Sequence, residues 1–220
     1  MRIFVLSFLF LFSFCARQNK SLSDSDLLLN QLFVNIVNAG NPNALDKIVY
    51  SRAQADGSYV TQFNATNLDF YIYFQFTGNK QIPFSDKDST GWDIAFNRYK
   101  AATNSGETNR FGLGGACKGN IQDYNAAIGT AAAGQNCSDA NFILDQSTTT
   151  QGIGGAGAIF VGSPLVTEWY DYTIGFLSPQ NEVFIIRSGT GSSYYAMRVE
   201  GYYSTAGTSG YPTIRWKKLP

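Results

Sequence analysis

The stretch L-D-F-Y-I-Y-F-Q-F, Leu68 to Phe76, is an almost unbroken run of aromatic and β-branched side chains. Side chains of that shape favour an extended, pleated backbone, so the run predicts a strand over 68–76. Its surroundings repeat the pattern. Upstream, Lys47 to Ala53 and Tyr59 to Asn64 flank Ala55-Asp56-Gly57-Ser58, where Asp56 and Gly57 supply turn chemistry, which predicts a hairpin. Downstream, the polar turn Asp86 to Gly91 leads into a strand expected from Trp92 to Ala101. Further strands are expected at Ala158–Val161, Tyr170–Phe176, Val183–Arg187, Tyr194–Tyr202 and Thr213–Lys217.

Composition agrees with a β-rich reading. The 220 residues include 17 Phe, 13 Tyr, 3 Trp and 22 Gly, with only 15% charged, a profile rich in strand and turn formers. One sizeable core is expected from a chain of this length. Sixteen Lys+Arg balance 16 Asp+Glu, and no segment is densely basic, so nucleic acid is not an expected partner. There is no histidine, which removes the Ser-His-Asp and Cys-His relays and every His-bearing zinc site.

The N-terminus reads as an export signal. Met1 and Arg2 precede the apolar run Ile3 to Phe14, too short to span a bilayer but of signal-peptide length. The run ends at Cys15, with Ser13 two positions earlier, as at a lipoprotein cleavage box; Phe14 departs from its small-residue preference. The expected organisation is a signal peptide over 1–14, a lipidated polar tether over 15–25 and one domain over 26–220. Within that domain Leu28, Leu29, Leu32, Phe33, Ile36 and Val37 recur at helical spacing before Gly40 and Pro42, predicting one N-terminal helix. Thr103 to Gly157, crowded with Gly, Ala, Asn and Ser, is expected to be a loop-rich insertion, with a short helix at Ile121–Ile128. The fold class is therefore mostly β, with one N-terminal helix and that insertion. With Cys15 assigned to the anchor, Cys117 and Cys137 remain as an even pair in an oxidising compartment, and a disulfide is expected. A two-thiol metal site or a reactive pair is the rival, without C-x-x-C spacing or a third soft ligand to support it.

Three motifs carry less than they promise. Gly152, Gly154 and Gly157 spell G-x-G-x-x-G, but polar S-T-T-T-Q precedes and a strand-like segment follows, so the dinucleotide reading fails on context. Asp86, Asp88, Thr90 and Gly91 match half a calcium loop, while position 12 is Asn97 in place of the bidentate Glu. Asp93 and Asp171 lie within apolar strands; a carboxylate pair can perform glycoside chemistry, and the plainer alternative is that each accepts hydrogen bonds from turn amides or Arg98.

Two strings reach a known family. S-T-G-W-D-I-A-F-N-R-Y-K-A-A-T-N-S-G, Ser89 to Gly106, resembles the W-D-x-A…R-Y…T-N-S-G core of the HmuY-like haem-binding lipoproteins. The run W-Y-D-Y from Trp169, V-F-I-I-R-S from Val183, Y-Y-A-M-R-V-E-G-Y-Y from Tyr194 and the ending T-I-R-W-K-K-L are similar to its closing strands. The resemblance implies an HmuY-like antiparallel β fold and a non-enzymatic outer-membrane lipoprotein, surface-exposed or periplasm-facing. It further implies capture of haem or a related porphyrin for uptake, with an outer-membrane receptor or a host protein as partner. Members of that family hold haem iron with histidines or methionines, whereas this chain has no histidine and, after Met1, only Met197. Asn97 stands where a ligand would be sought. Tyr oxygen and Met sulfur are the remaining donors, so Met197, Tyr99, Tyr124 and Tyr170 are the candidate haem-binding residues. Strand alternation sets Met197 on one face with Tyr195 and Val199, which equally describes core packing. The alternative function keeps the fold without haem, as a surface adhesion or envelope-assembly protein.

Overall fold

The computed structural model describes residues 25, 28, 29, 32, 40–118, 137, 141–149, 159–180 and 182–220. The chain divides into a unit of residues 1–40 and a unit of residues 41–220. In the first, only Ser25, Leu28, Leu29, Leu32 and Gly40 are described. The signal segment, the tether with Cys15 and most of the expected helix therefore lie outside the described residues. So do Ile121–Ile128 and the glycine string 152–157.

The second unit is built from antiparallel strands. β1 (Ile48–Ala53) and β2 (Tyr59–Phe63) form the expected hairpin. Its turn is held by Asp56, whose Oδ1 accepts from the Ser58 amide (2.9 Å) and hydroxyl (2.6 Å), and by Gly57 at φ +77°. β2 continues into a six-stranded sheet of order β1-β2-β14-β13-β12-β7, with β7 (Gly115–Lys118), β12 (Phe184–Arg187), β13 (Tyr194–Tyr203) and β14 (Ser209–Lys218). A four-stranded sheet, β4-β3-β5-β6, comprises β3 (Ile72–Gln75), β4 (Lys80–Ile82), β5 (Ile94–Asn97) and β6 (Lys100–Thr103). Two ribbons complete it: β8 (Gln146–Thr149) with β9 (Ile159–Gly162), and β10 (Tyr170–Thr173) with β11 (Phe176–Pro179).

Side-chain alternation puts the main core between the two larger sheets. Ile72 and Phe74 of β3, Ile94 and Phe96 of β5, Phe184 and Ile186 of β12, and Tyr195, Met197 and Val199 of β13 share one buried cluster. The intervening residues point the other way: Tyr73 and Ala95 join Trp92 and Ile82, while Ile185 and Ala196 join Cys117, Cys137 and Phe142. This is the period-2 pattern of strands buried on both faces. Cys117 and Cys137 are disulfide-bonded, with Cα atoms 5.8 Å apart, which ties β7 to a segment 20 residues on.

Three expected strands are corrected. Trp92–Ala101 is two strands, β5 and β6, joined through Arg98 at φ +52° and Tyr99. Tyr170–Phe176 is likewise broken at Ile174 (φ +48°) and Gly175 (φ +86°) into β10 and the start of β11. The run Leu68–Phe76 pairs only from Ile72, because the Asn97 side-chain amide takes the carbonyls of Asn67 (3.1 Å) and Phe70 (2.8 Å).

Candidate functional site

The Trp92–Gly106 signature is a knot of buried hydrogen bonds. The Asp93 carboxylate accepts the Phe76 amide on one oxygen (2.8 Å) and the Gly189 amide on the other (3.0 Å), joining the end of β3 to the turn after β12. Burial pushes its pKa up and the two amide bonds oppose that. Asn104 donates to the carbonyls of Ser89 (2.9 Å) and Trp92 (2.8 Å), and its Oδ1 accepts from Asn109 (2.7 Å). Gly189 is required by closeness, since a Cβ there would overlap the Trp92 carbonyl oxygen. The Asp145 carboxylate, from the later part of the insertion, takes the Thr103 amide (2.8 Å), the Thr103 hydroxyl (2.6 Å) and the Thr108 hydroxyl (2.7 Å). Burial nevertheless raises it to about 7. The motif therefore holds architecture, with no acid free for chemistry. Asp171 is separately engaged by Gln180 Nε2 (2.8 Å). The half calcium loop is a polar turn in which Lys87 pairs with Asp88 (2.7 Å) and the Trp92 indole donates to the Lys87 carbonyl (2.8 Å). Among the described residues no three His, Cys, Asp or Glu side chains gather as a metal set.

Where the signature's β5–β6 turn emerges, two nominated tyrosines meet. Tyr99 is half-buried, and its ring stands edge-on to that of Tyr170 with centroids 6.1 Å apart. The turn is fixed from beneath. The Arg98 amide donates to the Ala65 carbonyl (2.9 Å), and the Trp169 indole donates to the Tyr99 carbonyl (2.9 Å). Trp169 packs on Tyr170 (5.0 Å) and on Tyr202 (5.7 Å), and Tyr203 accepts the Leu177 amide (3.0 Å), so β10, β11 and the end of β13 close around one aromatic group. Burial, with neighbouring Tyr99 and Tyr202, pushes the Tyr170 phenol up to about 12. Tyr202 also rises to about 12 through burial, opposed by the adjacent Arg98 guanidinium.

The other nominated residues fall elsewhere. Met197 is fully buried, opposite Phe184 and Trp216 across its two neighbouring strands, which is the core-packing role its strand face allowed. Its sulfur offers no approach to a macrocycle from solvent. Asn97 is buried and turned inward onto backbone carbonyls. Tyr124 lies outside the described residues. Tyr202, Tyr203, Trp169 and Arg98 are not among the sequence candidates; the doublet Tyr202-Tyr203 at the end of a closing strand is a usable signal for the two tyrosines, and none marks Trp169 or Arg98.

The HmuY protein family model matches residues 67–216, and this chain belongs to that family. No curated protein matches the chain. Among solved structures, a Bacteroides vulgatus protein assigned as HmuY-like and haem-binding superposes with a TM-score of 0.55 at 18% identity, covering 77% of this chain and 96% of its own. A Bacteroides fragilis protein assigned as a lipoprotein gives 0.56 at 20% identity, with coverage of 76% and 93%. The apo HmuY analogue of Tannerella forsythia gives 0.53 at 13% identity, with coverage of 80% and 100%. At such identities the likeness is one of fold. The family is one of binding proteins.

Proposed function

We propose that this protein is a non-enzymatic lipoprotein of the cell envelope, anchored through Cys15, that binds haem or a related porphyrin for uptake, with the Tyr99–Tyr170 pair as its binding surface. One observation carries the reading: two tyrosines from distant parts of the chain meet in an edge-on pair, one ring half-exposed, where the family's signature strand turns. The donor set fits ferric haem, because phenol oxygen is an established axial ligand for it and aromatic rings suit the faces of a macrocycle. Tyr99 is the more exposed residue of the two and is the proposed ligand. Tyr170, Trp169 and Tyr202 form the apolar backing. An outer-membrane receptor or a host protein is the partner to which haem would be passed or from which it would be taken.

A phenol must lose its proton to bind iron, a step that metal attraction and a higher pH both assist. Burial holds the Tyr170 proton up to about 12, which suits its place in the backing. Titration with haemin, followed by the Soret band, is expected to saturate with a shifted peak and to tighten from pH 7 to pH 9. Tyr99→Phe with Tyr170→Phe is expected to weaken binding by about tenfold or more, the loss of a charge-assisted contact. A spectrum identical to free haemin would refute the reading and favour the adhesion alternative. The exposed Ile174 and Phe176 at the β10–β11 turn would then be the surface to test.

A further inference from the structure

At the other end of β13 lies a cleft that the tyrosine pair does not use. It is lined by Tyr59, Phe76, Tyr195 and Trp216 on its apolar side and by Thr77, Asn79, Lys217 and Lys218 on its polar side, with a volume of about 320 Å³. That is the lower end of the ~300–1,000 Å³ taken by small-molecule sites. Its wall is a packed aromatic group: Tyr59 stacks on Trp216 (4.7 Å, 15° between planes), and Phe76 packs on both Trp216 (4.9 Å) and Tyr195 (4.6 Å). Tyr195 and Thr77 share a hydroxyl hydrogen bond of 2.7 Å at the cleft, a polar pair able to turn toward a ligand.

The charge here is one-sided. Asp56, the nearby acid, is paired with Arg215 at 2.7 Å, and Lys217 reaches only the Asp56 backbone carbonyl, at 2.5 Å. Among the described residues neither Lys217 nor Lys218 has a carboxylate partner, and the lining contains no acid. Two lysines in the lining of a cleft with an aromatic side are complementary to a molecule with a flat unsaturated body and an anionic end. Tyr195 and Tyr202 lie seven strand positions apart, roughly 24 Å at about 3.4 Å per residue, so one small ligand cannot reach both ends.

We propose that this cleft is a second binding site, independent of the Tyr99–Tyr170 pair, for a small planar organic carboxylate. Tyr59 supplies the stacking face, and Lys217 and Lys218 receive the carboxylate. The test uses the folded chain with 2-naphthoate and, as its uncharged counterpart, 2-naphthamide, followed by calorimetry and ligand-observed NMR. Saturable binding of the naphthoate is expected, with the amide about tenfold weaker or worse. Lys218→Gln on the rim is expected to remove most of that preference, and Tyr59→Leu to weaken both ligands, with thermal unfolding confirming that each variant folds. The Tyr99→Phe, Tyr170→Phe double variant is expected to bind naphthoate normally, as is wild-type protein saturated with haemin. Absence of saturable naphthoate binding, equal affinity for acid and amide, an unchanged preference in Lys218→Gln, or displacement by haemin would each overturn the proposal. The first three results leave the haem reading untouched, whereas displacement by haemin would also move haem from the Tyr99–Tyr170 end to this cleft.

Discussion

Ile174 occupies the first position of a two-residue turn at φ +48°, and it is 91% exposed. A β-branched side chain in the left-handed region clashes with its own backbone, whereas Asn and Gly adopt that region readily. With Gly175 following at φ +86°, the loop is of the kind that favours Asn-Gly. Ile174→Asn is therefore expected to stabilise the protein by about 1 kcal/mol, seen as a higher urea midpoint with unchanged slope. An unchanged or lower midpoint would mean that the turn bears no strain. Asp145 is a second residue with a readable consequence. Its native pKa of about 7 lies above its ordinary value of 3.8, so the folded state binds that proton more tightly than the unfolded state. The sign follows: this group's contribution to stability is fully present below about pH 4 and is lost as pH rises through about 7. Asp145→Asn shifts stability at every pH by removing a partner of Thr103 and Thr108. It should also flatten the decline between pH 4 and 7 relative to wild type, leaving the part due to Asp93. Parallel curves would show that Asp145 titrates normally.

At the scale of elements, the disulfide from β7 to Cys137 closes a loop of 20 residues and supports a buried cluster with Phe142, Val183 and Ile185. Replacing both cysteines with serine should cost about 3 kcal/mol in the chain-entropy account, read from denaturant unfolding, and a loss below about 1 kcal/mol would contradict it. Elements with clear alternation were legible in the sequence: β1, β2, β12 and β13 fall where their apolar residues placed them, while β14 begins at Ser209, four residues before the expected Thr213. Two hairpins were hidden because Arg98 and Ile174 occupy left-handed positions that ordinarily announce themselves with Gly or Asn. β7 was missed for another reason. G-A-C-K has no strand signature of its own and is extended because β12 pairs with it. The candidate site was half legible. Tyr99 and Tyr170 could be nominated by residue chemistry, but their contact depends on the Arg98 turn and on Trp169 anchoring the Tyr99 carbonyl, neither of which spacing reveals.

Across the whole molecule, the family signature and the proposed site play different parts. Asp93, Asn104 and Asp145 tie the two sheets, the post-β12 turn and the insertion together, and the resulting fold is like that of the B. vulgatus and T. forsythia proteins despite low identity. Function is then set by what the frame presents. Here it presents phenols where imidazole is absent from the whole chain, with the one methionine of the domain sealed in the core. The central claim is that a haem-capture scaffold grips its cargo through tyrosine oxygen. Resonance Raman and electron paramagnetic resonance of the haemin-loaded protein test it most directly. The account predicts high-spin ferric haem with an iron–phenolate vibration that shifts on ring-labelling of tyrosine and disappears in Tyr99→Phe, Tyr170→Phe. Spectra indifferent to both the label and the substitutions would contradict it.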